Sequence, residues 1–350
     1  MVFAVPGDLA TPTGGYTYDR RIIAELPAFG WQPRVVNLGE GFPQPAPAVR
    51  AGACAQLAAL PRDVPIVIDG LAFGVLPDVS EKLCASHHLV ALVHHPLAVE
   101  TGLSAADCDS LRASERAALT SARHVIATSA ATGRLLAADY GVPAERLTVV
   151  APGIDRLDMR STPSGKPETG EGTLALLAVG TVVPRKGYDV LVAALARLKD
   201  LPWRLTIAGD CERGLETARQ LRAEIADLGL ADRITFCGAV TPRELDQLYA
   251  SADLFVLASR FEGYGIAYAE AIAHGLPVIG TKAGAIPETI PAEAGLLVPA
   301  DDVEALADAL RCLMENPQQR ARLAAGARAA QFPSWREQAR LFGRALEAVA

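Results

Sequence analysis

Short runs that are apolar almost throughout alternate with Ala-, Leu- and Arg-rich stretches of helical length along most of the chain. In the first half, the spacing predicts strands at 1–5, 34–38, 65–71, 89–94, 124–128 and 148–150, with helices at about 16–29, 48–60, 104–122 and 130–140. The second half repeats the alternation: strands at 174–180, 204–209, 234–237, 254–258, 277–280 and 295–298, and helices near 187–199, 214–228, 241–251 and 265–274. Beyond residue 300 the pattern becomes helical, at about 302–315, 317–330 and 334–348, with Asp301 or Asp302 as the cap of the first.

Strands that are apolar on both faces and joined by helices imply parallel sheets covered on each side. The fold class expected is therefore α/β, with two Rossmann-like, doubly wound domains in succession. The stretch RLDMRSTPSGKPETGEG, residues 156–172, is rich in Pro, Gly, Ser and charge without periodicity, and reads as the linker between a domain at 1–155 and one at 173–331. The closing run 332–350 has apolar residues at helical spacing, so one of its faces should be buried.

Composition narrows the function classes. At 350 residues, 50% hydrophobic and 21% charged, the chain has ordinary globular proportions. Its net charge of -7 lacks the basic footprint of a nucleic-acid binder, so no nucleic-acid partner is expected. No charged n-region followed by an apolar core is visible at the N-terminus, and no uninterrupted apolar run of about 18 residues occurs. A cytoplasmic protein is expected, with membrane association at most peripheral, at the inner membrane face. The helix around 111–123 reads as an amphipathic surface helix in preference to a membrane-facing one. The six cysteines, 54, 84, 108, 211, 237 and 312, are scattered without metal-type spacing and read as buried thiols.

The densest chemistry lies in SRFEGYGIAYAEAIAHGLPVIGTKAGAIPE, residues 259–288. Glu262 and Glu270 stand eight positions apart, with Gly263, Tyr264 and Gly265 between them and a helix start near Gly265. At a helical rise the two carboxylates would be roughly 12 Å apart. That span fits the two sugar ends of a nucleotide-diphosphate sugar, with the helix amides and dipole between them offered to the diphosphate. Two readings stay open for the acids: Glu262 as a cap of the following helix with Glu270 on the surface, or both as ligand-binding groups. Glu270 lies among Ala269, Ala271, Ile272 and Ala273, so its carboxylate should be partly buried and hydrogen-bonded.

With its Glu-x7-Glu spacing and the run EGYGIAYAEAIAHGLPVI, this segment resembles the retaining nucleotide-sugar glycosyltransferases of family 4 (group 1). It departs from their common pattern at Ile266-Ala267-Tyr268. The resemblance implies a GT-B fold, two Rossmann-like domains facing a central cleft, with a terminal helix crossing back to the first. It implies transfer of a hexosyl-type group from a nucleotide-diphosphate sugar to an acceptor glycan, glycolipid or small molecule. The nucleotide sugar acts as co-substrate; no other cofactor and no metal are implied.

By the same resemblance, Lys186 and, in place of the family's separated arginine, Arg185 would meet the diphosphate; Thr181 holds the usual arginine position. His94, with His95 as its neighbour and alternative, matches the histidine that contacts the donor hexose. Gly14 and Gly15 match the opening glycine loop, and Gly238 to Val240 the loop beneath the nucleobase. Glu270 would bind ribose, and Glu262 would contact sugar hydroxyls. Arg185, Lys186, Glu262 and His94 are thus the expected catalytic residues. A nucleotide-sugar binder without transfer activity is the alternative, kept open by Thr181. An oxidoreductase is weaker, because PGDLATPTGG after the first strand is a poor GxGxxG.

Overall fold

A computed structural model describes residues 1–155 and 172–349, so all of the linker reading except Gly172 lies outside the described residues. The chain divides into two compact units, Met1–Gly153 with Pro333–Ala350, and Ile154–Phe332.

The first unit holds strands β1 (Val2–Val5), β2 (Arg34–Asn37), β3 (Pro65–Asp69), β4 (His88–Val93), β5 (His124–Ala127) and β6 (Leu147–Val149). Its helices are α1 (Gly14–Glu25), α2 (Pro47–Ala58), α3 (Gly70–Phe73), α4 (Pro77–Leu83), α5 (Ala105–Thr120) and α6 (Ala130–Tyr140). The second unit holds β7 (Leu174–Val179), β8 (Trp203–Ala208), β9 (Ile234–Gly238), β10 (Leu254–Val256), β11 (Val278–Thr281) and β12 (Gly295–Val298). Between and after them run α7 (Tyr188–Ala196), α8 (Leu215–Asp227), α9 (Pro242–Ser251), α10 (Ile266–Ala273), α11 (Ile286–Thr289), α12 (Val303–Glu315) and α13 (Pro317–Ala329).

Each unit is built on one six-stranded sheet, ordered β2-β1-β3-β4-β5-β6 in the first and β12-β11-β10-β7-β8-β9 in the second. Every recorded strand pairing is parallel. The interior strands are buried on both faces, as their apolar runs require: all residues of β1 and β3 are buried. Edge strand β2 differs, with Val35 42% exposed, because no neighbour covers its outer side.

Three expectations are corrected. The strand expected to reach residue 71 stops at Asp69, whose side chain accepts from Leu71 N at 2.7 Å and caps α3; α4 follows where no helix was expected. Helix α1 begins at Gly14, two residues early, because the Thr13 hydroxyl caps it through Tyr16 N. None of the six cysteines is buried, and Cys84, Cys237 and Cys312 are exposed. The amphipathic reading of 111–123 fits α5, which buries Glu115, Ala118 and Leu119 and leaves most of its other residues exposed. Among the described residues, no helix is long and apolar enough to cross a membrane.

The closing helix α14 (Trp335–Glu347) starts with a capping box, Ser334 and Glu337 each satisfying the other's backbone amide. It buries Trp335, Ala339, Phe342 and Leu346 in the first unit's core beside Phe3, Val90 and Ile126. Phe342 stacks on Phe3 with ring centroids 6.2 Å apart. Burial of each such large side chain contributes about 1.5–3 kcal/mol, which fixes the helix on the sheet.

Candidate functional site

In the second sheet β7 enters at the centre, β8 and β9 extend it one way, and β10 to β12 the other. The loops leaving the carboxyl ends of β7 and β10 are therefore neighbours at the switch point, where open α/β sheets place ligands. The first of these loops carries a turn, Pro184–Lys186, ahead of α7; the second carries 257–265 into α10.

Lys186, Arg185 and Glu262 meet there. Lys186 Nζ donates to Glu262 Oε1 at 2.7 Å, and an Arg185 guanidinium N–H reaches Oε2 at 3.3 Å. The same arginine nitrogen donates to the Phe261 carbonyl at 2.9 Å, and Ser259 Oγ donates to Oε1 at 2.7 Å. Glu262 is 6% exposed. Burial pushes its carboxyl upward, but Lys186 and then Arg185 outweigh that and hold it at about 2. Two cations face this carboxylate, so the three groups together carry a net positive charge.

The loop is braced from behind. Arg260 N donates to Arg185 O at 2.8 Å, and the Arg260 guanidinium grips both Asp189 oxygens, at 3.0 and 2.6 Å, and Asp301 at 2.6 Å. Ala285 N donates to Glu262 O at 2.9 Å. Gly284, at φ +54°, lies so close that a Cβ would stand 2.3 Å from Glu262 O, so only glycine fits.

Glu262 does not cap α10. That helix follows Gly265 in the left-handed region and has no side-chain cap; Tyr268 N and Ala269 N turn back to the Gly265 carbonyl, so the amides of Ile266 and Ala267 are the ones an outside acceptor could meet. Of the residues between the acids, Tyr264 is half-buried and its carbonyl accepts from the Thr289 hydroxyl; Gly263 and Gly265 flank it. Inside α10, Glu270 is half-buried, and Tyr249 Oη donates to its Oε2 at 2.9 Å. The Tyr249 ring packs against His274 at 4.6 Å, whose Nδ1 lies 2.8 Å from the Glu270 carbonyl and so must donate to it. Tyr249, buried on α9, gave no chemical signal in the sequence; its part appears only through this contact.

Gly238 and Val240 leave β9, two strands from β7 on the same carboxyl edge. Gly238 accepts from Gly209 N at 2.8 Å, and the space on its Cβ side is open.

The remaining expected residues belong to the first unit. Its own switch point lies between β1 and β3. Gly14 and Gly15 open α1 beyond β1, Asp69 ends β3, and His94 follows β4. His94 Nε2 lies 3.2 Å from Asp19 Oδ1 and 3.4 Å from Asp69 Oδ2. Among the described residues these three ligand atoms form a group close enough to share a cation. His95 points elsewhere, with Nε2 3.6 Å from Glu100. Neither Asp19 nor Asp69 was expected, since each sits far from His94 in sequence.

Two family models match the chain: "Glycosyl transferases group 1" over residues 161–330 and "Glycosyltransferase Family 4" over 83–156. A D-inositol 3-phosphate glycosyltransferase of Nocardia farcinica is 33% identical over 242 residues, 64% of this chain and 54% of that protein. The chain spans about half the length of the curated relatives it matches. Among solved structures, sucrose-phosphate synthase from Thermosynechococcus elongatus superposes with a TM-score of 0.81 at 23% identity, covering 100% of both chains. Anabaena HepE in complex with UDP-glucose gives 0.80 at 22% identity over 99% of this chain and 100% of its own. Two parallel six-stranded units, the Glu-x7-Glu pair and both family matches agree: the chain belongs to the GT-B glycosyltransferases of family 4, group 1.

Proposed function

We propose that this chain is a retaining glycosyltransferase that moves a hexosyl group from a nucleotide-diphosphate sugar to an acceptor hydroxyl. The observation that carries the reading is the Arg185–Glu262–Lys186 cluster set beside the uncapped start of α10. Both family models and the names of the relatives support it.

In this reading the bond from the anomeric carbon to the diphosphate breaks, and the acceptor oxygen bonds to that carbon from the same face. The acceptor proton passes to the departing phosphate oxygen. Negative charge grows on the leaving group, and Lys186, Arg185 and the first amides of α10 would meet it. Glu262 meets sugar hydroxyls, Glu270 the ribose, and Gly238 to Val240 the base. The protein's cations supply the counter-charge, so the step asks for no divalent ion. Acceptors of the glycan, glycolipid or small-molecule class all fit this chemistry, and a lipid acceptor would be met at a membrane surface.

Thermal melting against a panel of UDP-, GDP- and ADP-sugars tests the reading. A donor present at 100 times its Kd should stabilise the native state by about 2.7 kcal/mol and raise the midpoint. Release of nucleoside diphosphate should follow with the same sugar. If no nucleotide sugar moves the midpoint and none is cleaved, the reading fails.

The ribose assignment has its own check. Loss of the Tyr249 hydroxyl frees Glu270 from its 2.9 Å donor. Tyr249→Phe is expected to weaken donor binding about tenfold, roughly 1.4 kcal/mol, in calorimetry. Unchanged affinity in both Tyr249→Phe and Glu270→Gln would remove Glu270 from the donor site.

A further inference from the structure

The transfer chemistry leaves two buried acids unexplained. Asp19, on α1, is 0% exposed, and Asp69, at the end of β3, is 3% exposed. Two carboxylates in an apolar interior are strongly unfavourable unless something positive lies between them. Asp69 Oδ1 is occupied by Leu71 N at 2.7 Å, which leaves Oδ2 for His94. Asp19 has no hydrogen-bond donor aligned on either oxygen; its nearest recorded partner is the same imidazole nitrogen, at 3.2 Å.

The ring itself is fixed on several sides. Tyr18 stands edge-on to it at 5.4 Å, and the Tyr18 hydroxyl is tied to Val150 O at 2.9 Å. Gly15 leaves room for it, since a Cβ there would sit 3.3 Å from His94 Cδ2. The Thr128 hydroxyl donates to the His94 carbonyl at 3.1 Å. Nε2 is fully buried, yet the side chain is 20% exposed, so the accessible part is the rest of the ring, away from the acids.

A neutral imidazole fits this nest badly. With its proton on Nδ1, a lone pair on Nε2 would face two carboxylates. With its proton on Nε2, the ring would carry no charge to offset them. We infer that Asp19 and Asp69 are positioning residues that hold His94 as an imidazolium, with Nε2 turned to the acids and the accessible part of the ring turned away from them. The electrostatics agree. Burial by itself lowers the imidazole, but Asp19 and Asp69 outweigh it and hold it near 10, while burial lifts Asp19 to about 6. A fixed cationic donor of this kind suits a hydroxyl or phosphate oxygen of a sugar substrate. Only that last step rests on the transferase reading.

Long-range proton–nitrogen spectra of the histidine rings, with His94 assigned by its loss in His94→Gln, test the inference directly. In the parent at pH 8 both His94 nitrogens should carry protons. In Asp19→Asn the ring should titrate lower, and in Asp19→Asn with Asp69→Asn it should fall below the ordinary value of about 6.5, because burial then acts unopposed. If Asp19→Asn fails to fold, Asp69→Asn and the parent spectrum still decide. A neutral His94 at pH 8 in the parent, or a ring indifferent to both substitutions, overturns the inference. So does stoichiometric binding of added zinc or manganese that displaces the ring proton, which would make the three groups a metal site instead. The spectrum reads ring protonation whether or not the chain transfers sugar, so its failure is separable from that of the transferase reading.

Discussion

Lys186→Ala is expected to lower transfer by roughly 100- to 1,000-fold while the protein stays folded, the loss typical of one strong electrostatic contact to a developing anion. Fold and function separate here because of how the cluster is shared. Without the lysine, Glu262 keeps the Arg185 guanidinium at 3.3 Å and the Ser259 hydroxyl at 2.7 Å, so no buried charge is abandoned. Steady-state rates with the donor found by melting, beside a circular-dichroism melt of the same sample, read both quantities. Parent-like turnover in a folded Lys186→Ala protein would refute the phosphate assignment.

Glu262→Gln should act in the opposite way, on stability first. It removes the carboxylate held between Lys186 and Arg185, whose side chains are each 15% exposed, and breaking such a buried set costs about 3 kcal/mol. The effect has a pH signature. The carboxyl goes from 4.5, its ordinary value, down to about 2 in the fold. A depressed acid stabilises fully above its unfolded value and loses that contribution as pH falls through the folded one. The gap in melting midpoint between parent and Glu262→Gln should thus be widest at neutral pH and shrink between about 4.5 and 2. A gap that does not change with pH would mean that the ion cluster is not what the substitution removes.

Much of this was legible in the residues, and the misses share one cause. Runs such as LALLAV at β7 and HLVALV at β4 announce buried parallel strands by composition. The eight-residue spacing of Glu262 and Glu270 and the Arg-Lys pair at 185–186 point to the candidate site, since each signal is local. Contacts across the sheet are not local. Lys186 and Glu262 are 76 positions apart, and they touch because β7 and β10 are neighbours, which depends on strand order. Asp19 reads from sequence as one more polar residue of a helix, Asp69 as a strand end, and Tyr249 as a core aromatic. The short helices α3 and α4 were missed because the apolar run of β3 continues into residues that Asp69 turns into a helix.

The first unit is discontinuous in the chain. Phe342 and Leu346 complete a core begun by Phe3, and everything from Ile154 to Phe332 is made in between. A ribosome therefore delivers all of the second unit before it delivers the last apolar face of the first. During synthesis the β1–β6 sheet waits with the part of this face that α14 will take uncovered, a surface for chaperones or for aggregation. The second unit has no such wait.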